Sequence, residues 1–216
     1  MDETRAGILR YLGHRGQAVP EDIEVVIDEC LPLMAKAARL RHVSGEYHLE
    51  PTEKGLVPVG SGLLLEGGDI TKLLEGCSRA VLFAATLGIE AERLIKGHAP
   101  EDLVKTLVLD ACATQLIEEG CDRIEREIGE GALKRGLLAT GRFSPGYGDL
   151  PLGIQPSILD ALDASRRIGL TCTESLLLLP RKSVTAVIGL GENICRTLSG
   201  CEACPLGNSC AYRKRG

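Results

Sequence analysis

The residues best suited to chemistry lie in a stretch rich in glycine and proline, Arg142 to Tyr147, which reads Arg-Phe-Ser-Pro-Gly-Tyr and continues with Gly148. Pro145 fixes one backbone torsion, whereas Gly146 and Gly148 permit left-handed ones, so we expect a tight loop with exposed backbone amides. Arg142 supplies a planar fork that suits a carboxylate, and Tyr147 supplies an aromatic face and a hydroxyl. This set suits a small zwitterion with a flat group; the alternative is a surface turn whose arginine caps a helix.

A second reactive group lies near the end of the chain, where four of the nine cysteines follow the spacing Cys-x5-Cys-x2-Cys-x5-Cys: Cys195, Cys201, Cys204 and Cys210. The segment is rich in small and turn-forming residues and has little apolar surface to bury, so we expect thiolate–metal bonds to hold it. Four thiolates fit an iron–sulfur cluster or a structural zinc. Cys204-Pro205 and the single Cys-x2-Cys pair favour a 4Fe–4S cluster; zinc and unligated thiols are the alternatives. The scattered cysteines on apolar patterns are expected to pack in the core.

The loop resembles a known motif. Arg-x-x-x-Gly-Tyr at Arg142, Gly146 and Tyr147 is similar to the S-adenosylmethionine-binding motif of the activation domain of cobalamin-dependent methionine synthase. A second block is similar to that domain's Thr-Glu-Ser…Pro…Ser-Val segment, and its residues are Thr173-Glu174-Ser175, Pro180, Ser183 and Val184. The chain most resembles short, stand-alone relatives of the domain that have gained a cysteine cluster.

The resemblance implies a ligand and its binding residues. S-adenosylmethionine is expected at the loop, with its carboxylate on Arg142, backbone contacts from Ser144 and Gly146, and Tyr147 packed nearby. An acidic residue of a preceding helix lines the family's site. An ungapped alignment places that residue near Thr114, where no acid stands, and Glu118 lies one turn away without an assigned role. No catalytic residue is assigned.

The resemblance also implies a corrinoid partner. None of the four histidines has an aspartate two residues earlier, so the family's cobalamin-ligand motif Asp-x-His-x-x-Gly is absent and a partner protein would supply the cobalamin. The expected function is reductive activation of that corrinoid methyltransferase protein in trans. S-adenosylmethionine would donate the methyl group, and a low-potential donor and the cysteine cluster would deliver the electron. The alternatives are a docking module without chemistry of its own and an S-adenosylmethionine methyltransferase with a structural zinc.

The amino-acid composition restricts the classes of partner and the cellular location that we expect for the protein. The chain has 216 residues, 44% hydrophobic residues, no tryptophan and a net charge of −5. Its only basic run is Arg213-Lys214-Arg215, so no nucleic-acid partner is expected, because a phosphate-binding face needs clustered cations. No apolar run approaches about 18 residues, and the first residues lack a signal-peptide pattern, which predicts a cytoplasmic protein without a membrane partner.

Apolar periodicity predicts an α+β fold, a mixed sheet with packed helices, like the activation domain. Residues 1-190 are expected to form this domain and residues 191-216 a cysteine-rich iron–sulfur tail. The longest helix is predicted over 100–128 and a buried strand over 80–86. Pro32 is expected to kink or divide a helix, Asp69 to cap one, and residues 156–168 to form another.

The metal prediction can be tested without knowing the partner. Anaerobically purified protein is expected to be brown and to contain iron and sulfide, because four thiolates are the ligand set of a 4Fe–4S cluster. Cys204→Ser should bleach the absorption spectrum and leave the far-ultraviolet circular dichroism unchanged. Stoichiometric zinc without iron would contradict the prediction.

Overall fold

The two most apolar runs of the chain form neighbouring strands at the centre of the sheet. The structure, a computed structural model, describes residues 3–14 and 16–194. Its strands are β1 (Arg41–Thr52), β2 (Gly55–Pro58), β3 (Arg79–Thr86), β4 (Leu138–Ala139), β5 (Thr171–Cys172), β6 (Leu178–Leu179) and β7 (Ser183–Gly191). Its helices are α1 (Glu3–Tyr11), α2 (Glu21–Ala37), α3 (Gly68–Leu73), α4 (Ile89–His98), α5 (Leu103–Leu133), α6 (Gln155–Ala161) and α7 (Ala164–Ile168), and a 3₁₀ turn, Leu152–Ile154, precedes α6.

The main sheet has five strands in the order β2-β1-β3-β7-β4, and β5 pairs with β6 in a separate hairpin. All pairings are antiparallel, with Thr86 opposite both Arg41 and Ser183. The predicted α+β class is confirmed, but the sheet is antiparallel rather than mixed. The helices between strands pack on the two faces of the sheet instead of crossing over between parallel neighbours.

Alternation along β3 divides the core into two layers. Val81, Phe83 and Ala85 pack with the helices α1, α2, α4 and α5, whereas Leu82 and Ala84 pack with α3, α6 and α7 on the other face. Successive strand residues point to opposite faces, so a strand covered on both sides must be apolar throughout. This is why the run over 80–86 was recognisable as a buried strand.

Helix α5 crosses the first face over 31 residues and contacts α1, α2 and α4. Its start is fixed by Asp102, whose carboxylate accepts a hydrogen bond from the Lys105 amide at 2.9 Å. The predicted long helix is therefore confirmed, with its bounds shifted towards the C-terminus. Within residues 3–14 and 16–194, no helix has the length and apolar character needed to cross a membrane.

Two helix predictions were wrong in detail. Helix α2 continues through Pro32 without division, and Ile27, Cys30 and Met34 on its buried face pack in the first core layer. The predicted helix over 156–168 is two helices, because Asp163 adopts a left-handed conformation (φ 50°) between α6 and α7. The division into 1-190 and 191-216 stays a prediction, since the described residues end at 194.

Candidate functional site

The glycine loop lies at the edge of the main sheet. After β4, Thr140 donates its amide hydrogen to the Gly189 carbonyl (2.9 Å), and Phe143 exchanges two backbone hydrogen bonds with Val187 (2.9 and 2.8 Å). Phe143 packs in the second core layer, whereas the side chain of Arg142 contacts α5 on the first face. The short extended segment before the loop therefore attaches Arg142 firmly to β7.

Arg142 is surrounded by carboxylates from one face of α5. Its Nη2 donates to Glu118 (2.8 Å), and its Nη1 donates to Asp122 and Glu125 (2.6 Å each). The guanidinium-bearing side chain is 19% exposed. The three acids are spaced i, i+4 and i+7, which places them on one side of a helix. That spacing is the signal in the sequence that would have identified the acidic side of this site.

Among the described residues, the ion pairs of this cluster join three carboxylates to one guanidinium, a formal surplus of two negative charges in that set. Burial opposes the charge of Arg142, but Asp122, Glu118 and Glu125 outweigh burial and raise the pKa of the guanidinium. The neighbouring Cys121 is fully buried, and burial raises the pKa of its thiol to about 12. Arg142 is thus permanently charged and Cys121 is an unreactive core thiol.

The loop itself is closed by its own hydrogen bonds. The amide of Gly146 donates to the Leu150 carbonyl (2.9 Å), and that of Tyr147 donates to the Ser144 carbonyl (3.1 Å). The left-handed torsions are confirmed at Gly146 (φ 87°) and Gly148 (φ 52°). The expectation of bare amides was wrong at Gly146 and Tyr147, because a turn this tight uses them internally. Tyr147 is 58% exposed.

The end of the loop also contacts the start of helix α3. The carboxylate of Asp149 accepts hydrogen bonds from the amides of Gly68 (2.5 Å) and Asp69 (3.0 Å), at the first turn of α3. Asp69 is therefore not the cap of α3 that the sequence predicted. A side chain at Gly148 would overlap the Asp69 carboxylate. The close approach of loop and helix is possible because the loop has glycine there.

The second block of predicted residues lies beyond α6. Gln155, which is almost fully buried, donates to the Leu176 carbonyl (2.8 Å) in the β5–β6 hairpin and accepts from the Thr185 hydroxyl (3.3 Å) in β7. The Thr-Glu-Ser segment begins the hairpin turn, where Thr173 donates its amide hydrogen to the Leu177 carbonyl (2.8 Å). Gln155 thus links the hairpin of the second block to β7, and no hydrogen bond joins Thr173 to Arg142 among the described residues.

The polar face of α5 continues towards its N-terminus. Lys182, the residue before β7, donates to the hydroxyl of Thr114 (2.7 Å) and forms an ion pair with Asp110 (2.9 Å). Thr114, the position at which an acid was expected, therefore binds a lysine instead of facing Arg142. The acids that face Arg142 begin one turn later, at Glu118.

The predicted metal ligands Cys195, Cys201, Cys204 and Cys210 lie outside the described residues. Over 3–14 and 16–194 there is no group of three or more histidine, cysteine or acidic side chains arranged to hold a metal ion. The five cysteines in this part are free; Cys30, Cys112 and Cys121 are buried, whereas Cys77 and Cys172 are half-buried.

Comparisons with known proteins support the fold. No protein-family profile matches the chain, and no curated protein sequence matches it. Among solved structures, it is similar to the MetH reactivation domain crystallised with bound AdoHcy, with a TM-score of 0.62 at 16% sequence identity. The match covers 80% of this chain and 66% of that one, just under two thirds of its length. At this identity the likeness establishes the fold alone.

The contact between the loop and α3 yields a stability prediction. Asp149→Ala is expected to lower the free energy of unfolding by about 1 kcal/mol in urea titrations, because two amides at a helix start lose their acceptor. Asp149→Asn should retain part of this stability through its amide oxygen. The matched control is Asp160→Ala, an exposed aspartate whose side chain makes no hydrogen bond within the described part of the chain. Equal stabilities of Asp149→Ala and the control would show that the contact is unimportant.

Proposed function

We propose that this chain binds S-adenosylmethionine at the Arg142 loop and uses it to methylate, and so reactivate, the reduced corrinoid of a partner protein. The observation that carries the proposal is the position of Arg142, Gly146 and Tyr147 at the sheet edge, in a fold similar to a reactivation domain that binds AdoHcy. AdoHcy is S-adenosylmethionine without its transferable methyl group.

The charges around Arg142 suit both the carboxylate and the cationic groups of S-adenosylmethionine. The guanidinium uses three N–H groups for Glu118, Asp122 and Glu125 and has further donors for a ligand carboxylate. The surplus of negative charge suits the ligand's ammonium and sulfonium groups. We therefore assign Glu118 and Asp122 to the binding of these cations, and Arg142 to the carboxylate.

The remaining predicted residues have supporting roles. The exposed ring of Tyr147 offers a flat surface beside the ligand and towards a docking partner. Ser144 and Gly146 hold the loop in shape through their backbone bonds to Tyr147 and Leu150. Orientation is the main contribution such a site makes, because the methyl group, its acceptor and the departing sulfur must lie in line.

The proposed reaction needs no acid or base from this chain. The corrinoid cobalt, a substrate held by the partner, donates an electron pair to the methyl carbon. The bond between that carbon and sulfur breaks, and its electron pair stays on sulfur, giving AdoHcy. Because sulfur then loses its positive charge, the attraction of Glu118 and Asp122 for the product falls. The surplus of acid therefore favours substrate over product.

The cysteine tail belongs to the same proposal. A cluster bound by Cys195, Cys201, Cys204 and Cys210 would supply one-electron chemistry, with a low-potential protein or reagent as the external donor. Methylation is favourable and would draw an unfavourable reduction of cobalt forward. A structural zinc would leave only the binding and methyl-transfer parts of the proposal.

Calorimetry with S-adenosylmethionine tests the binding site. Arg142→Lys keeps the charge but loses the planar fork, and we expect affinity to fall roughly tenfold or more, the range for a lost charge-assisted contact. Lysine is preferable to alanine, because removing the cation would leave three carboxylates facing one another. The control, Arg123→Lys, alters an exposed arginine of α5, the helix that carries the three acids, and should bind like the wild type. Absence of saturable binding to the wild type would refute the site.

Reactivation in trans tests the activity. We expect the chain, mixed with a corrinoid protein in its cobalt(II) state, a low-potential reductant and S-adenosylmethionine, to convert the cobalt(II) absorption into that of methylcobalt. Removing residues 195–216 should slow the reduction without preventing ligand binding, whereas Arg142→Lys should impair methyl trapping and leave any cluster spectrum intact. Methylation of another acceptor would favour the methyltransferase alternative. Binding of the corrinoid protein without methylation would favour the docking module.

A further inference from the structure

A cavity of about 580 Å³ opens at one end of the main sheet, where β1 begins and β3 ends. Residues 38–41 form one wall and residues 87–90 form the other. The Arg39 amide donates a hydrogen bond to the Leu87 carbonyl (2.8 Å), which joins the two walls. A cavity of this size is typical of a site for a small organic molecule, because a single ion needs far less space.

This cavity is separate from the Arg142 loop. Ser183, the first residue of β7, lies opposite Thr86 at the end of the sheet that holds the cavity. Phe143 instead contacts β7 at Val187, four residues further along, which corresponds to roughly 13 Å of strand. A molecule in the cavity would therefore be a second ligand, distinct from the one proposed at the loop.

Arg41 brings a guanidinium without a partner to the cavity. Among the described residues it forms no hydrogen bond and no ion pair, so its five N–H donors are available to a ligand. The group lies beside two glycines: a Cβ at Gly88 would be 3.5 Å from its Nη2, and a Cβ at Gly169 would be 3.8 Å from the same atom. Because neither neighbour has a side chain and Arg41 is exposed, a ligand can reach the guanidinium from solvent.

Arg39 adds a second guanidinium, and the main chain sets its position. Its Nη1 donates to the carbonyls of Lys36 (2.6 Å) and Ala38 (3.1 Å), which leaves Nε and Nη2 for a ligand. The one carboxylate in the lining, that of Glu90, forms an ion pair with Arg93 (2.6 Å). With the first guanidinium, this set of described residues has three cations against one carboxylate, so the cavity favours an anion.

The remaining side chains of the cavity lining are apolar. Leu87 is buried and Leu40 is half-buried, whereas Ile89 is 45% exposed. The cavity thus places an apolar surface beside the two guanidinium groups. A ligand that fits both features has an anionic group at one end and an apolar or flat body at the other.

We propose that the cavity binds a small organic phosphate, with the phosphate group on Arg39 and Arg41 and the organic body against Ile89. A phosphate monoester has three free oxygens, so both guanidinium forks can bind it at once, whereas a carboxylate has only two oxygens and is satisfied by one fork. A nucleic acid fits less well, because phosphate backbones are bound by longer rows of cations than this cavity contains.

Calorimetry of the full chain with phenyl phosphate, inorganic phosphate and phenol tests the cavity. None of these probes contains the adenosyl or amino-acid part of S-adenosylmethionine. We expect phenyl phosphate to bind saturably, inorganic phosphate to bind more weakly and phenol not to bind detectably. Arg41→Gln should weaken the binding of phenyl phosphate roughly five- to tenfold, because one solvated, charge-assisted contact is lost. Arg41→Lys keeps the charge without the fork, and its affinity should lie between those of the wild type and Arg41→Gln.

The matched control is Arg123→Gln, which removes an exposed arginine of α5 outside the cavity and should bind phenyl phosphate like the wild type. Absence of saturable binding of phenyl phosphate, equal binding of phenol, or unchanged affinity in Arg41→Gln overturns the proposal. Phenyl phosphate that binds no tighter than inorganic phosphate overturns the assignment of an organic ligand.

The affinity for S-adenosylmethionine distinguishes this cavity from the site at the loop. Arg41→Gln should leave that affinity unchanged, and a parallel loss of both ligands overturns the proposal of a separate site. If the wild type binds phenyl phosphate but no S-adenosylmethionine, the proposed function fails and the phosphate site stands.

Discussion

The ion cluster of Arg142 with Glu118, Asp122 and Glu125 connects the parts of the molecule on which the candidate site depends. It joins the loop at the sheet edge to α5, the helix against which α1, α2 and α4 pack. A partly buried guanidinium needs such partners, since an unpaired charge in the interior is costly. Among the described residues, the three acids outnumber the one guanidinium that they share.

The cluster also relates stability to ligand binding. Three carboxylates within reach of one another repel, and Arg142 relieves only part of that repulsion. A bound cation would relieve more of it and would stabilise the folded state by the ordinary linkage between binding and folding. The same reasoning explains why an arginine, with its fixed fork, serves here better than a lysine, which would contact fewer of the three acids.

Much of this architecture was predictable from local patterns. The run over 80–86 and the long apolar stripe of α5 identified β3 and α5, because burial on both faces or on one helical face leaves a clear periodicity. The strands β4 and β5 have two residues each and no period of their own, so they were not predicted. The α+β class followed from the order of elements, whereas the antiparallel arrangement depended on pairings between distant segments.

The contacts of the candidate site were also predictable only in part, because they join segments that are distant in the sequence. Arg142 was recognisable from its own motif, but its partners lie 17, 20 and 24 residues away, and the helix that receives the Asp149 carboxylate begins about 80 residues earlier. Glu118 lies one turn along α5 from Thr114, the position at which the resemblance places an acid, so the sequence alone assigns it no role. Contacts over such separations are decided by packing, which local sequence patterns do not record.

The segment before the loop has a second consequence, which concerns the solubility of the folded protein. Strand β7 is almost wholly apolar, and its outer side is covered by β4 and then by Phe143. An uncovered apolar strand would offer its backbone groups to another chain and promote edge-to-edge association. The two hydrogen bonds of Phe143 with Val187 thus protect this part of the edge of β7 from pairing with another chain.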